Sequence, residues 1–131
     1  MQVVITNLQT KVPIPQKKIS QFCIIARNAV RKQPLPANLS IVFVSPQRMR
    51  RLNKKYLGHD YVTDVITFDY GEIIICPQVA AANAKQHKTS TEKELVLYAI
   101  HGILHLAGYD DHKPKDIKQM RAKEQEILSS L

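Results

Sequence analysis

Residues 92–107 read EKELVLYAIHGILHLA, and Gly108 follows. This stretch decides the fold. Leu95, Val96, Leu97, Ala99, Ile100, Ile103, Leu104, Leu106 and Ala107 leave almost no polar face. A helix that is apolar nearly all round belongs inside a protein. Ser90 or Thr91 opens it, Thr91 and Glu94 have capping-box spacing, and Gly108 is a natural stop. The helix still carries Glu94, Tyr98, His101 and His105, spaced four, three and four residues apart. That spacing makes one stripe along one face. Polar groups on a buried helix must be paired or must bind something.

Two histidines at i and i+4 project side by side, so both imidazoles can reach one metal ion. Glycine at 108 permits a sharp turn, and Asp111 and His112 come next. The pattern matches H-x-x-x-H-x-x-G-x-x-[H/D], in which the turn returns a third ligand to the ion. Asp111 holds the gapless register, and His112 takes its place if the turn absorbs one residue. Three protein ligands leave a position open, as in catalytic rather than structural zinc sites. Zinc suits imidazole and carboxylate ligands, with nickel and manganese as other divalent candidates. The residue after the first histidine is Gly102, where zinc proteases carry a general-base glutamate, which argues against peptide hydrolysis. A glycine there implies close approach of another element or of a substrate backbone.

Outward from this helix, residues 2–8 alternate and read as an edge strand. A helix follows over 16–32, with Ile19, Phe22, Cys23, Ala26 and Val30 on one face, and residues 33–38 break it. Residues 39–45 form a second strand. Ser45-Pro46 then caps a helix over 46–56, with Met49, Leu52 and Tyr56 as its apolar stripe. Strands over 63–70 and 71–76, a helix over 77–87 and a last amphipathic helix over 114–129 complete the order β-α-β-α-β-β-α-α-α. In the last helix Ile117, Met120, Ile127 and Leu128 face inward. The expected fold is α+β: a single domain over 1–131, with a mixed sheet of about four strands packed with helices and the metal-ligand helix buried at its centre.

With 131 residues and 44% hydrophobic content, the chain can bury a core of ordinary size. No run is long enough for a membrane span, and the N-terminus lacks the pattern of a signal peptide, so a cytoplasmic protein with no membrane partner is expected. Cys23 and Cys76 lie in apolar runs far apart and read as reduced core residues. Nineteen Lys and Arg against eleven Asp and Glu give a formal charge of +8. That balance suits a polyanion. Arg48, Arg51, Lys54 and Lys55 cluster on the helix 46–56 as candidate phosphate contacts. Glu94 is either a carboxylate of the reactive pocket or a helix N-terminal carboxylate. Asp64 is a turn residue or part of the site, Tyr98 is packing, and His59 and His87 receive no role.

The string His101-Gly102-Ile103-Leu104-His105-Leu106-Ala107-Gly108-Tyr109-Asp110 resembles the signature of the YbeY family, bacterial metal-dependent endoribonucleases of rRNA maturation. Leu52 to Tyr56, Thr63 to Phe68 and Gly71 to Ile73 resemble further family segments, so the likeness spans roughly 38–128. It implies an α+β fold and one zinc-type site in which His101 and His105 serve catalysis. It implies cleavage of single-stranded RNA rather than DNA. It also implies work at the ribosome or with ribosomal proteins, including maturation of the 16S rRNA 3′ end and ribosome quality control. Two departures stand out. Histidine usually follows Tyr-Asp directly, whereas here Asp111 does; and many members carry arginine where this chain has Leu57.

Overall fold

The computed structural model describes residues 2–30 and 35–130. Four strands form one sheet: β1 (Gln2–Asn7), β2 (Asn38–Phe43), β3 (Val65–Phe68) and β4 (Glu72–Ile75), in the order β1-β2-β4-β3. β1, β2 and β4 run parallel, and β3 pairs antiparallel with β4 at the far edge. Helices α1 (Gln16–Ala29), α2 (Pro46–Leu57), α3 (Pro77–Gln86), α4 (Thr91–Leu106) and α5 (Pro114–Leu128) complete the chain. The element order and the single mixed-sheet α+β domain agree with the sequence reading, and β1 lies at an edge as expected. The end of the first helix expected at 31–32 and the start of the breaker lie outside the described residues.

Alternation along the strands divides the core in two. Leu39, Ile41 and Phe43 of β2 and Ile73 and Ile75 of β4 point to one face, where α1, α4 and α5 cover them. Ile74 and Ile66 point to the other, against Met49 of α2. α4 is the hub of the larger layer, packing on α1, α3, α5, β3 and β4. Its Leu95, Ile100, Ile103 and Leu104 are fully buried. Gly102 allows this contact with the sheet. A Cβ there would fall 2.8–3.0 Å from three atoms of Ile73, so the glycine serves a close approach between α4 and β4.

Three local expectations change. Ser90 is the N-cap of α4, its Oγ accepting the Lys93 amide at 3.1 Å, so Thr91 is already helical and the Thr91–Glu94 capping box does not form. On α2 the buried positions are Met49 and Asn53, while Tyr56 is exposed. The Asn53 side chain donates to the Tyr61 carbonyl at 3.0 Å, which satisfies a polar group that periodicity alone assigns to solvent. On α5 Met120 and Ile127 are buried as expected, but so is Glu124.

Candidate metal centre

The last turn of α4 builds the site. The Tyr109 amide bonds the Leu104 carbonyl at 2.9 Å, and the Gly108 amide bonds the His105 carbonyl at 3.0 Å. This is a Schellman stop, with Gly108 at φ +96°, a backbone conformation that favours glycine. The chain reverses there and brings Asp111 back over the helix end. Nε2 of His101 and Nε2 of His105 face each other at 3.1 Å. Oδ2 of Asp111 lies 3.5 Å from the first and 3.6 Å from the second. A tetrahedral ion with bonds of about 2.0–2.2 Å has ligand-to-ligand edges of about 3.3–3.6 Å. Two edges of the triangle of donor atoms have that size and the third, 3.1 Å, is slightly shorter, so His101, His105 and Asp111 could hold a metal ion.

His112 lines the cleft but stands outside the triangle. Its ring is 83% exposed and its Nδ1 pairs with Asp110. With Asp110 and Asp111 it makes a second, exposed group of possible ligands. Glu94 does not line the site: seven residues before His101, it stands about 10 Å back along the helix axis. It lies near the Tyr98 hydroxyl, whose pKa is pushed up to about 12, chiefly by burial and then by the charges of Asp64 and Glu94. Tyr98 packs as expected and accepts a hydrogen bond from Asn83 at 2.6 Å.

Besides Asp111, a second carboxylate reaches His101, that of Glu124 of α5. Its Oε2 accepts a hydrogen bond from His101 Nδ1 at 2.8 Å. That bond holds the proton on Nδ1 and leaves Nε2 as a bare donor aimed at His105 and Asp111, the role carboxylates play behind metal-bound histidines. Sequence reasoning missed Glu124, although a charged residue four positions after Met120 and three before Ile127, on the buried face of an amphipathic helix, was a visible signal.

The triad opens into a cleft of about 720 Å³ lined by Leu57, Asp64–Thr67, Asp69, Leu106 and His112 as well as the three donors. Asp64 caps the start of β3, its Oδ1 accepting the Val65 amide at 2.7 Å. Among the described residues the cleft wall has three carboxylates and no Lys or Arg. Arg48, Arg51, Lys54 and Lys55 are exposed on α2, outside the cleft, and Lys54 lies 3.9 Å from Asp60.

A family model described as Endoribonuclease YbeY matches residues 4–131. The chain belongs to the YbeY family. Endoribonuclease YbeY of Thermotoga neapolitana is 43% identical over 101 residues, which span 72% of this chain and 68% of that protein. The relative from Elusimicrobium minutum is 37% identical over 125 residues, 86% of this chain and 87% of that one. A solution structure of a Thermotoga maritima protein matches with a TM-score of 0.68 and 32% identity, covering 96% of this chain and 86% of that one. The fold is thus the fold of a solved relative. In this YbeY chain Leu57, the position where the resemblance anticipates arginine, lies on the wall of the cleft. No helix among the described residues is long and apolar enough to cross a membrane.

Proposed function

We propose that this protein is a metal-dependent endoribonuclease that cleaves single-stranded RNA, in maturation of the 16S rRNA 3′ end and in ribosome quality control. Membership of the YbeY endoribonuclease family supports the nuclease reading. The observation that carries the metal dependence is the triangle of His101 Nε2, His105 Nε2 and Asp111 Oδ2 at the foot of an open cleft. Zinc fits two imidazoles and one carboxylate with a position left free.

When bound, such an ion supplies Lewis acidity toward a phosphate oxygen and lowers the pKa of a bound hydroxyl or water. The residues of the chain do the rest. Glu124 keeps His101 in the tautomer that presents Nε2. Partial burial of both rings at the end of α4 limits their direction. Asp64 and Asp69 repel phosphate from the cleft wall, which leaves the ion as the attractive point for the scissile group.

The test is metal content by mass spectrometry on the native chain and on His101→Ala, with RNA cleavage assayed on each sample. About one ion per chain, lost together with cleavage in His101→Ala, is the expected result. Full cleavage by a verified metal-free His101→Ala protein would overturn it. Leu57 favours a second reading, because the cleft lacks the guanidinium that would steady phosphate charge: a ribosome-assembly factor that binds rRNA or ribosomal proteins, with a structural metal. Salt-sensitive rRNA binding without turnover by metal-loaded protein would favour that reading.

A further inference from the structure

Among the described residues the cleft has carboxylates and no Lys or Arg, so a polyanionic strand must gain most of its affinity outside it. Exposed apolar side chains point to where. Of the eight large hydrophobic side chains that stand exposed among the described residues, five fall within residues 56–70: Tyr56, Leu57, Tyr61, Val62 and Tyr70. This stretch runs from the end of α2 to the β3–β4 turn. Its Leu57 and Asp69 line the cleft, so their neighbours Tyr56 and Tyr70 stand at the rim.

Tyr56 and Tyr70 form a row with the half-buried Phe68 between them. Tyr70 stacks on Phe68 at 5.6 Å between centroids and 14° between planes, and Tyr56 meets Phe68 edge-on at 5.3 Å. The Tyr70 hydroxyl donates to Glu72 at 2.8 Å, which fixes the ring while 66% of the residue stays in solvent. Tyr56 is 54% exposed and carries the Lys55 ammonium 5.2 Å from its ring centre. α2 contributes Arg48, Arg50, Arg51, Lys54 and Lys55 and no acidic residue. Asp60 engages Arg50 and Lys54, while Arg48, Arg51 and Lys55 form no ion pair among the described residues. Ordered, exposed rings beside uncommitted cations are what a single strand of nucleic acid recognises: bases stack on the rings and phosphates follow the charges.

We propose that Tyr56, Phe68 and Tyr70 form a base-stacking platform that, with the cations of α2, holds nucleotides of single-stranded RNA flanking the one in the metal cleft. This rests on the single-strand endoribonuclease reading above. Phe68 packs in the α2 layer, while the donor triad stands at the end of α4, the hub of the other layer. A strand held on the platform therefore turns around the β3 edge to enter the cleft, which a stiff duplex cannot do.

The test is fluorescence anisotropy of the full chain with a labelled, non-cleavable 2′-O-methyl oligouridine and with a 2′-O-methyl duplex. The variants are Tyr56→Ala, Tyr56→Leu, Tyr70→Ala and Tyr70→Phe. Both tyrosines are exposed, and circular dichroism with metal content verifies that each variant is folded and loaded like the unsubstituted chain. Removing a stacking ring weakens single-strand binding by about five- to a hundredfold per base. That loss is expected in both Ala variants and in Tyr56→Leu, while Tyr70→Phe keeps its ring and binds within about twofold. Binding to duplex, whose base faces are hidden, stays the same in all. Single-strand affinity in Tyr56→Ala and Tyr70→Ala within about twofold of the unsubstituted chain overturns the platform and leaves the endoribonuclease reading intact. An unsubstituted chain with no preference for single strand over duplex overturns both.

Discussion

Glu124 and His101, twenty-three residues apart in sequence, meet at 2.8 Å between Oε2 and Nδ1. The carboxylate is buried, only 7% exposed, and His101 is its partner. An isolated carboxylate is costly to bury, so its placement requires a donor of this kind. The pair links α5 to the histidine end of α4 and sets which imidazole nitrogen faces the triangle of candidate ligands.

Replacing Glu124 is therefore expected to weaken metal binding without removing a ligand. Glu124→Ala lowers metal affinity by about 10–100-fold. Glu124→Gln, which keeps an acceptor but no charge, falls between that and the native value. Glu94→Gln leaves affinity unchanged, because Glu94 stands about 10 Å from the triangle. Competition with a chromophoric chelator measures all three; equal loss in Glu94→Gln and Glu124→Ala would contradict the assignment.

The third ligand can be separated from its neighbour in the same way. Asp111 Oδ2 lies within 3.6 Å of both Nε2 atoms, whereas the His112 ring turns outward to Asp110. Asp111→Ala is expected to lose metal on desalting, and His112→Ala to retain about one ion per chain. The reverse pattern, read by mass spectrometry, would assign the site to His112.

In the metal-free chain the two histidines separate in pKa. Burial alone would lower His101, but the Glu124 hydrogen bond and the charges of Glu124, Asp111 and Asp64 outweigh it, and its pKa is raised. Burial and the neighbouring His101 lower His105. A raised folded-state value means that His101 adds stability below its unfolded pKa, about 6.5, and loses it as pH rises through the folded value. His105 does the opposite: its contribution is present above the unfolded value and lost as pH falls through the folded one. An NMR titration of the metal-free rings is expected to give a higher midpoint for His101 than for His105; a reversed order would contradict the arrangement.

Gly102→Ala tests the contact between α4 and β4. The new methyl would meet Ile73, itself fully buried, at 2.8–3.0 Å from three of its atoms. Overpacking of this kind costs about 1–3 kcal/mol, and the helix propensity gained returns up to about 1 kcal/mol. A net loss of about 1–2 kcal/mol in urea unfolding is expected. It should shrink when Ile73→Val is added, because the two positions touch.

Cys23 and Cys76 should not react with thiol reagents in the native state. Both are buried and unpaired. Burial pushes the Cys23 thiol up to about 12 and raises that of Cys76 as well. Little thiolate then exists near neutral pH. Labelling is expected only when the chain unfolds, and fast native-state labelling of either would contradict their place in the core.

Much of this was legible in the residues. The all-round apolar character of 92–107 marked α4 as the central helix, because burial needs no knowledge of which neighbour supplies it. The histidine spacing and Gly108 marked two donors and the turn, because a helix repeat and a glycine stop are local facts. Periodicity failed at Asn53 and Glu124, polar residues whose burial depends on partners in distant segments, the Tyr61 carbonyl and the His101 ring. It failed at Tyr56 too, which joins an exposed row through Phe68 rather than the core.

The sequence by itself determined the element order, the buried helix, the paired histidines and the family signature, since each is written in spacings of a few residues. The tertiary structure decided which carboxylates surround the histidines. Asp111 reaches them because the turn at Gly108 points it back, Glu124 because α5 packs beside α4, and Asp64 joins the cleft wall because β3 lies at the sheet edge. A carboxylate acts on an imidazole over a few ångströms, and only packing sets such distances between segments far apart in the chain.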